Sequence, residues 1–286
     1  MTTFNLSLSP AQSEYVLKPG VNLVQAYDVT NNSDSEIILN TEILPWIPSG
    51  TDGSVNYNQA ISNPNIEFSL ANSDIKLGQP FVLAANSKQQ LVLKIKTNSN
   101  ISLADNYYTF FIFQNQNTIQ SNDNFTAATG KIGSHLLLTV SNIENPKVES
   151  AIQNFSISPK IKDIFFNPIT FNGQIKNNSD FFFKTNGKIT ITKNDKVIKE
   201  FELSPDNVLN HHSRNISCLN ESSCSINPPL WPGHYKVSVI LNSDLNSQPY
   251  NTSFYVLPIS PLLFILLVTL IIFGIKKFKL KSWFTK

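Results

Sequence analysis

Residues Phe171–Ile191 read FNGQIKNNSDFFFKTNGKITI. The first part alternates: Phe171, Gly173 and Ile175 stand opposite Asn172, Gln174 and Lys176, which predicts a strand with one buried face. Asn177, Asn178, Ser179 and Asp180 follow at once. The same four residues recur 146 positions earlier as Asn31, Asn32, Ser33 and Asp34, inside VTNNSDSE (Val29–Glu36). Asn and Asp tolerate left-handed backbone, and with Ser they bond their own main chain. Each NNSD is therefore read as a turn joining two neighbouring strands, and its recurrence predicts two related domains.

Two sharper readings of NNSD are weaker. Asn31 and Asn177 each open an Asn-x-Ser sequon, but there are nine sequons in a chain of 35 Asn, and chance alone supplies about six. A calcium loop needs further spaced oxygen ligands and a Gly, which neither copy has.

Working outward, period-two patterning repeats along the chain. Ile37, Leu39 and Ile43 oppose Asn40 and Glu42; Leu91, Leu93 and Ile95 oppose Lys94 and Lys96; Tyr235, Val237, Val239 and Leu241 oppose Lys236 and Ser238. YYTFFIF (Tyr107–Phe113) is apolar on both sides and predicts a central strand. Turn signals lie between these runs, among them Lys18-Pro19-Gly20, Thr51-Asp52-Gly53, Asn186-Gly187 and Trp231-Pro232-Gly233. No amphipathic helix of three turns precedes Pro258. Short strands with frequent turns predict an all-β body of two β-sandwiches, residues 1–145 and 146–257, divided in the polar stretch SNIENPKVES (Ser141–Ser150).

ISPLLFILLVTLIIFGI (Ile259–Ile275) carries no charge, and about 25 Å of helix at 1.5 Å per residue nearly matches a bilayer core of about 30 Å. The expected span is 258–277, with Leu262, Leu263, Phe264, Ile265, Leu266, Leu267, Val268, Leu270, Ile271, Ile272, Phe273 and Ile275 as its anchor. Pro258 and Pro261 suit a helix start, and Tyr255 and Trp283 suit the two interfaces. Lys276, Lys277, Lys279 and Lys281 follow, and 278–286 is read as a short basic tail. Positive charge tends to stay inside, which predicts a single-pass membrane protein with its body extracytoplasmic and its C-terminus cytoplasmic. MTTFNLSLSP has neither a basic n-region nor an apolar h-region, so that orientation expects a signal peptide that this sequence does not show.

Without the five C-terminal lysines the net charge of +2 becomes −3, and the only arginine is Arg214. No clustered basic surface for nucleic acid is expected. His135 lies within a strand pattern and His211-His212 within polar NHHSRNISC; neither has the spacing of a metal site. No Gly-x-Ser-x-Gly elbow, phosphate-binding Gly loop or His-Glu-x-x-His occurs, so no enzyme, cofactor, metal or small-molecule substrate is expected. Cys218 and Cys224 in CLNESSC are candidates for a local disulfide that stiffens a polar surface loop, if the body lies outside the reducing cytosol.

The segments SPAQSEYVLKPGVNLVQAYDVTNNSDSEIIL, GTDGSVNY, LAANSKQQLVLKI and DNYYTFFIF resemble the N-terminal immunoglobulin-like domain of bacterial WxL-interacting cell-surface proteins. FNGQIKNNSDFFFKTNGKITI and PGHYKVSVIL look like the sandwich that follows it there, and the terminal helix and lysine tail match the layout. The resemblance implies two immunoglobulin-like β-sandwich domains in tandem followed by one C-terminal transmembrane α-helix. It also implies peptidoglycan association through the first domain and binding of envelope or host-surface partners through the second. It carries over no binding residue. The expected function is binding or scaffolding at the cell surface, and the alternative is a tail-anchored cytosolic adaptor with a peptide-binding sandwich.

Overall fold

The computed structural model describes residues 5–114, 130–228, 230–242 and 249–283, with side chains along the terminal helix described as far as Gly274. The chain divides into two compact units, Met1–Lys147 with Ser179–Phe182, and Val148–Asn178 with Phe183–Lys286.

The first unit contains β1 (Leu6–Ser9), β2 (Gln12–Leu17), β3 (Asn22–Asn31), β4 (Ile37–Ser49), β5 (Ser54–Tyr57), β6 (Ile66–Leu70), β7 (Phe81–Leu83), β8 (Ser87–Thr97), β9 (Asp105–Gln114) and β10 (Lys131–Val140). One sheet has the order β1-β3-β8-β6; the other runs β2-β10-β9-β4-β5, with β7 also on β4. This is the immunoglobulin arrangement, in which the first, second, fifth and fourth strands face the remainder. Tyr27, Val29, Leu91, Leu93 and Ile95 from one sheet close on Leu39, Phe110, Ile112, Leu136 and Leu138 from the other, all fully buried in one cluster. The Tyr27 and Phe110 rings meet at 4.9 Å, and burial raises the Tyr27 phenol to a pKa of about 12.

The second unit repeats the plan. Its strands are β11 (Ser150–Ser158), β12 (Ile161–Asp163), β13 (Ile169–Asn177), β14 (Phe183–Lys184), β15 (Gly187–Lys193), β16 (Lys196–Glu202), β17 (Asn207–Val208), β18 (Ser213–Asn215), β19 (Ser225–Ile226), β20 (Gly233–Leu241) and β21 (Tyr250–Leu257). β11-β13-β18, with β19 also on β13, forms one sheet and β12-β21-β20-β15-β16 the other. In both units the chain enters in one sheet and then changes to the second. A Pro that cannot donate to the ladder stands at each change, Pro10 after β1 and Pro159 after β11. The next strand then pairs in parallel with the unit's last: β2 with β10, β12 with β21.

Each NNSD therefore follows the strand that pairs antiparallel with the unit's first strand, β3 on β1 and β13 on β11. In the first unit it leads out of one sheet and into the other, a corner between layers rather than a link between neighbours in one sheet. Alternation within a strand fixes which face is buried, but not which sheet the following strand joins.

Helix α1 spans Ile259–Trp283. Its start lies beyond Val256 and Leu257, which belong to β21, and the backbone stays helical past Lys277 as far as Trp283, within the stretch 278–286 expected as a tail. Nothing in KKFKLKSW breaks a helix, because Lys, Leu and Phe all accept helical geometry. Among the described residues no helix is long and apolar enough to cross a membrane; on α1 the described side chains end at Gly274, before the last of the expected anchor residues, Ile275, and the lysines.

Candidate functional site

β9 is the middle strand of its sheet and is apolar on both faces: one faces the core, and the other carries an aromatic layer that is partly covered. Tyr108, Phe110 and Ile112 point into the core. Tyr107, Thr109, Phe111 and Phe113 alternate with them on the other face. Register brings Trp46 and Leu44 of β4 beside Tyr107 and Thr109, and His135 of β10 opposite Thr109. The Trp46 and Tyr107 rings stack at 4.9 Å, and His135 sits edge-on to Trp46 at 5.3 Å. Tyr57 of β5 closes over this layer, its ring edge-on to Phe111 at 5.2 Å.

A polar thread runs through the aromatics. Thr109 Oγ1 lies 2.9 Å from His135 Nδ1 and 3.3 Å from Tyr57 Oη. Trp46 Nε1 is buried with no hydrogen-bond partner among the described residues. At the rim, Lys131 Nζ stands 3.9 Å from the centre of the Phe111 ring and pairs with Glu42. Gly133 makes room for this stacking: a Cβ there would fall 2.6 Å from Thr109 Cγ2 and 2.7 Å from the Phe111 ring. A hydroxyl beside an imidazole is the start of a nucleophile–base pair, but Thr109 is 1% exposed, so its oxygen is closed to substrate. The face offers half-exposed aromatic rings edged by an ion pair, which suits contact with a partner surface.

Burial lowers the His135 pKa. The unfolded chain then takes up a proton near the ordinary value of 6.5 where the folded chain does not. The contribution of His135 to the stability of the first unit is present above about pH 6.5 and is lost as pH drops from there toward the depressed folded value. His135→Gln is expected to flatten this acid slope between about pH 7 and 5 in thermal melts; an unchanged slope would show that His135 is already solvated.

Asp105, at the start of β9, behaves oppositely: burial raises its pKa, against the Thr139 and Tyr107 hydroxyls that bond it at 2.6 and 2.8 Å. His211 lies in a turn, its carbonyl accepting from Lys176, and burial lowers the adjacent His212. No group of three metal-ligating side chains occurs among the described residues. A cleft of ≈ 340 Å³ lined by Pro64, Asn65, Glu67, Lys96, Asn98 and Ser99 is polar and bridged by the Lys96–Glu67 ion pair at 3.3 Å.

The sequence-derived residues fall into three places. In the first NNSD, Asn31 is fully buried: its amide donates to Ser35 O, Leu83 O and Ala84 O at 2.8, 3.3 and 2.9 Å, and its Oδ1 accepts from the Ser33 amide and hydroxyl. Asn32 donates its main-chain N–H to Asn5 O, and Asp34 accepts from Asn86 at the surface. In the second, Asn177 is likewise fully buried and donates to Val208 O at 3.0 Å, while Asn178 N–H reaches Glu149 O. Cys218 and Cys224 are bonded to each other and both are buried in the second core, while Leu219–Ser223 between them is exposed. Leu262–Leu267 and Leu270–Phe273 are each at least half exposed along α1; the side chains of Ile275, Lys276, Lys277, Lys279 and Lys281 lie outside the described residues. The aromatic outer face was not read from the sequence. Its signal was the two-sided apolarity of YYTFFIF, which gives a central strand but not what its outer side gathers.

No family model matches the chain, and no curated protein matches it. Similar solved structures include the class 5 fimbriae chaperone CfaA, 13% identical over 89% of this chain and 100% of that one, TM-score 0.43. The E. coli chaperone DraB is 13% identical over 87% and 98%, TM-score 0.40. A structure of the Salmonella enterica SafA pilin in complex with the SafB chaperone is 12% identical over 88% and 97%, TM-score 0.39. These comparisons lend the WxL-interacting resemblance no support. The immunoglobulin-like character of both units rests on their own strand order.

Proposed function

We propose that this is a membrane-anchored, extracytoplasmic protein that binds or scaffolds cell-envelope partners through two immunoglobulin-like sandwiches, without catalysing a reaction. The observation that carries the reading is the exposed surface of α1. Leu262–Leu267 and Leu270–Phe273 are apolar side chains on every side of the helix, each at least half exposed. Full burial is worth roughly 1.5–3 kcal/mol for each such side chain, so ten of them, each half exposed or somewhat more, forgo on the order of 10–20 kcal/mol in water. Docking on a protein surface would cover one stripe of the helix; a bilayer covers all of it. The bonded Cys218–Cys224 pair favours an oxidising compartment for the body, and the lysines that follow the apolar run of α1 favour a cytoplasmic C-terminus.

The full chain is expected to float with phospholipid vesicles and resist carbonate extraction. Leu266→Arg with Leu267→Arg should lower the vesicle-bound fraction at least tenfold. In intact cells, external protease should digest the two units; a protected body would move them to the cytosol. The WxL-interacting resemblance makes purified cell wall the first partner to test by pull-down. Phe111→Ala and Tyr57→Ala report whether the aromatic face takes part.

A further inference from the structure

The second unit carries exposed large side chains at the end from which α1 leaves. Trp231 is 82% exposed, Phe166 61%, Ile161 58% and Phe165 55%; Tyr255 and Leu257 are also exposed. They come from three separate parts of the chain. Asp163 joins two of these parts: its carboxylate accepts from Ser260 N at 2.6 Å, Ser260 Oγ at 2.8 Å and Phe165 N at 3.0 Å. One side chain thus ties the loop bearing Phe165 and Phe166 to the first turn of α1, where amide groups have no helical partner. Burial opposes the charge on Asp163, but these donors, with the Ile259 amide, outweigh it and hold its pKa below the usual carboxylate range.

Trp231 reaches the same end by other bonds. The neighbouring Leu230 donates to Ile164 O at 3.2 Å, and Gly233 pairs with Val256 across β20 and β21. The Trp231 carbonyl accepts from Tyr235 Oη at 2.8 Å and from Lys193 Nζ at 3.3 Å, and Lys193 also holds Pro232 O at 2.8 Å. The backbone is fixed while the indole stands in solvent. Ile161 and Tyr255 are register partners on the outer face of the β12-β21 pair, and His234 stacks on Tyr255 at 4.7 Å. Asp163 is the only carboxyl in 158–168 and 230–236, and it is engaged by the helix; Lys160 is exposed.

We infer that Ile161, Phe165, Phe166, Trp231, Tyr255 and Leu257 form a collar that seats the second unit in the headgroup–acyl boundary of the outer leaflet, around the root of α1. The occupant is lipid because the collar is continuous with the apolar helix and bonded to its first turn. Wherever α1 enters a bilayer, these side chains arrive at the interface, the depth that suits Trp and Tyr. The inference rests on the membrane reading above. It adds that the sandwich lies against the bilayer at a fixed height instead of swinging on a free tether.

The test uses the full chain carrying Trp283→Phe in 3:1 phosphatidylcholine–phosphatidylglycerol vesicles. The matching variant with Trp231→Phe isolates the Trp231 signal, because Trp46 contributes equally to both. Lipids brominated near the headgroup end of the acyl chain are expected to quench Trp231 at least twofold more than lipids brominated deep in the chain. Aqueous iodide should reach it poorly. Phe165→Ser with Phe166→Ser should keep the chain on vesicles yet reduce the quenching. A chain that floats while Trp231 stays open to iodide and unquenched by bromolipid overturns the collar and leaves the anchor standing. A chain that does not float removes the anchor, and the collar with it.

Discussion

Asn31→Ala is expected to destabilise the first unit by about 3 kcal/mol. Asn31 is fully buried at the end of β3, and one amide group serves the carbonyls of Ser35, Leu83 and Ala84. Removing it takes a donor from each of those carbonyls and the acceptor from the Ser33 amide. Ser35 O keeps the Ser33 hydroxyl and Ala84 O keeps the Ser87 hydroxyl, while an orphaned buried polar group costs about 1–3 kcal/mol. Ser35 and Ala84 lie near enough to the surface for water to recover part of this, which keeps the sum below four full penalties. Asn31→Asp keeps the shape but sets an acceptor against three acceptors, and should be at least as damaging. Asp34→Ala, which loses one exposed contact with Asn86, should shift stability by less than about 0.5 kcal/mol. Thermal unfolding of the full chain in detergent, with hydrogen exchange assigning the loss to the first unit, separates the two. The expected drop for Asn31→Ala is on the order of 10 °C; a drop no larger than that of Asp34→Ala would refute the buried-amide account. Asn177→Ala should act in the same direction on the second unit through Val208 O.

Gly187→Ala is expected to cost the second unit about 3 kcal/mol or more, or to prevent its folding. Gly187 opens β15 opposite Leu241 of β20, and its carbonyl accepts from Leu203 N at 3.0 Å. A Cβ at this position would fall 2.2 Å from Ile240 O, 3.0 Å from Leu241 Cα and 3.1 Å from Ile240 C. These are backbone atoms, so no rotamer change relieves the clash. β15 and β20 must separate locally, beside Ile189 and Val239, which are fully buried in the core. Overpacking in a well-packed interior typically costs about 1–3 kcal/mol, and a contact with main chain belongs at or beyond the upper end. Urea unfolding of the full chain, followed by hydrogen exchange in β15 and β20, checks this. Wild-type protection in Gly187→Ala would mean that the strands tolerate a wider spacing.

These two positions show where sequence reading stops. Asn186-Gly187 has the composition of a turn. The glycine is there because a strand more than fifty positions further on passes too close for a side chain, and no local pattern carries that distance. NNSD has the composition of turn chemistry. Its Ser and Asp do occupy the turn, but its first Asn is a buried bracket whose amide reaches the end of β7, Leu83 and Ala84. Likewise Asp163 is one carboxylate in a short polar stretch until tertiary structure sets it against Ser260, almost a hundred residues away. Thr109, His135 and Tyr57 become one polar thread only after β9, β10, β4 and β5 are in register.

What the sequence determined by itself is everything that depends on neighbours along the chain. Alternation fixed the strands and their buried faces, since side chains two apart share a face whatever sheet they join. The uncharged run after Pro258 fixed the terminal helix, since its one further proline, Pro261, falls in the first turn, where a missing N–H costs little. Tertiary structure alone decided which strands share a sheet, which polar groups are buried and partnered, and which aromatics gather on an outer face or around the root of α1. Those outcomes depend on the order in which strands are laid side by side, and that order is set by the packing of two whole layers, not by any stretch within one of them.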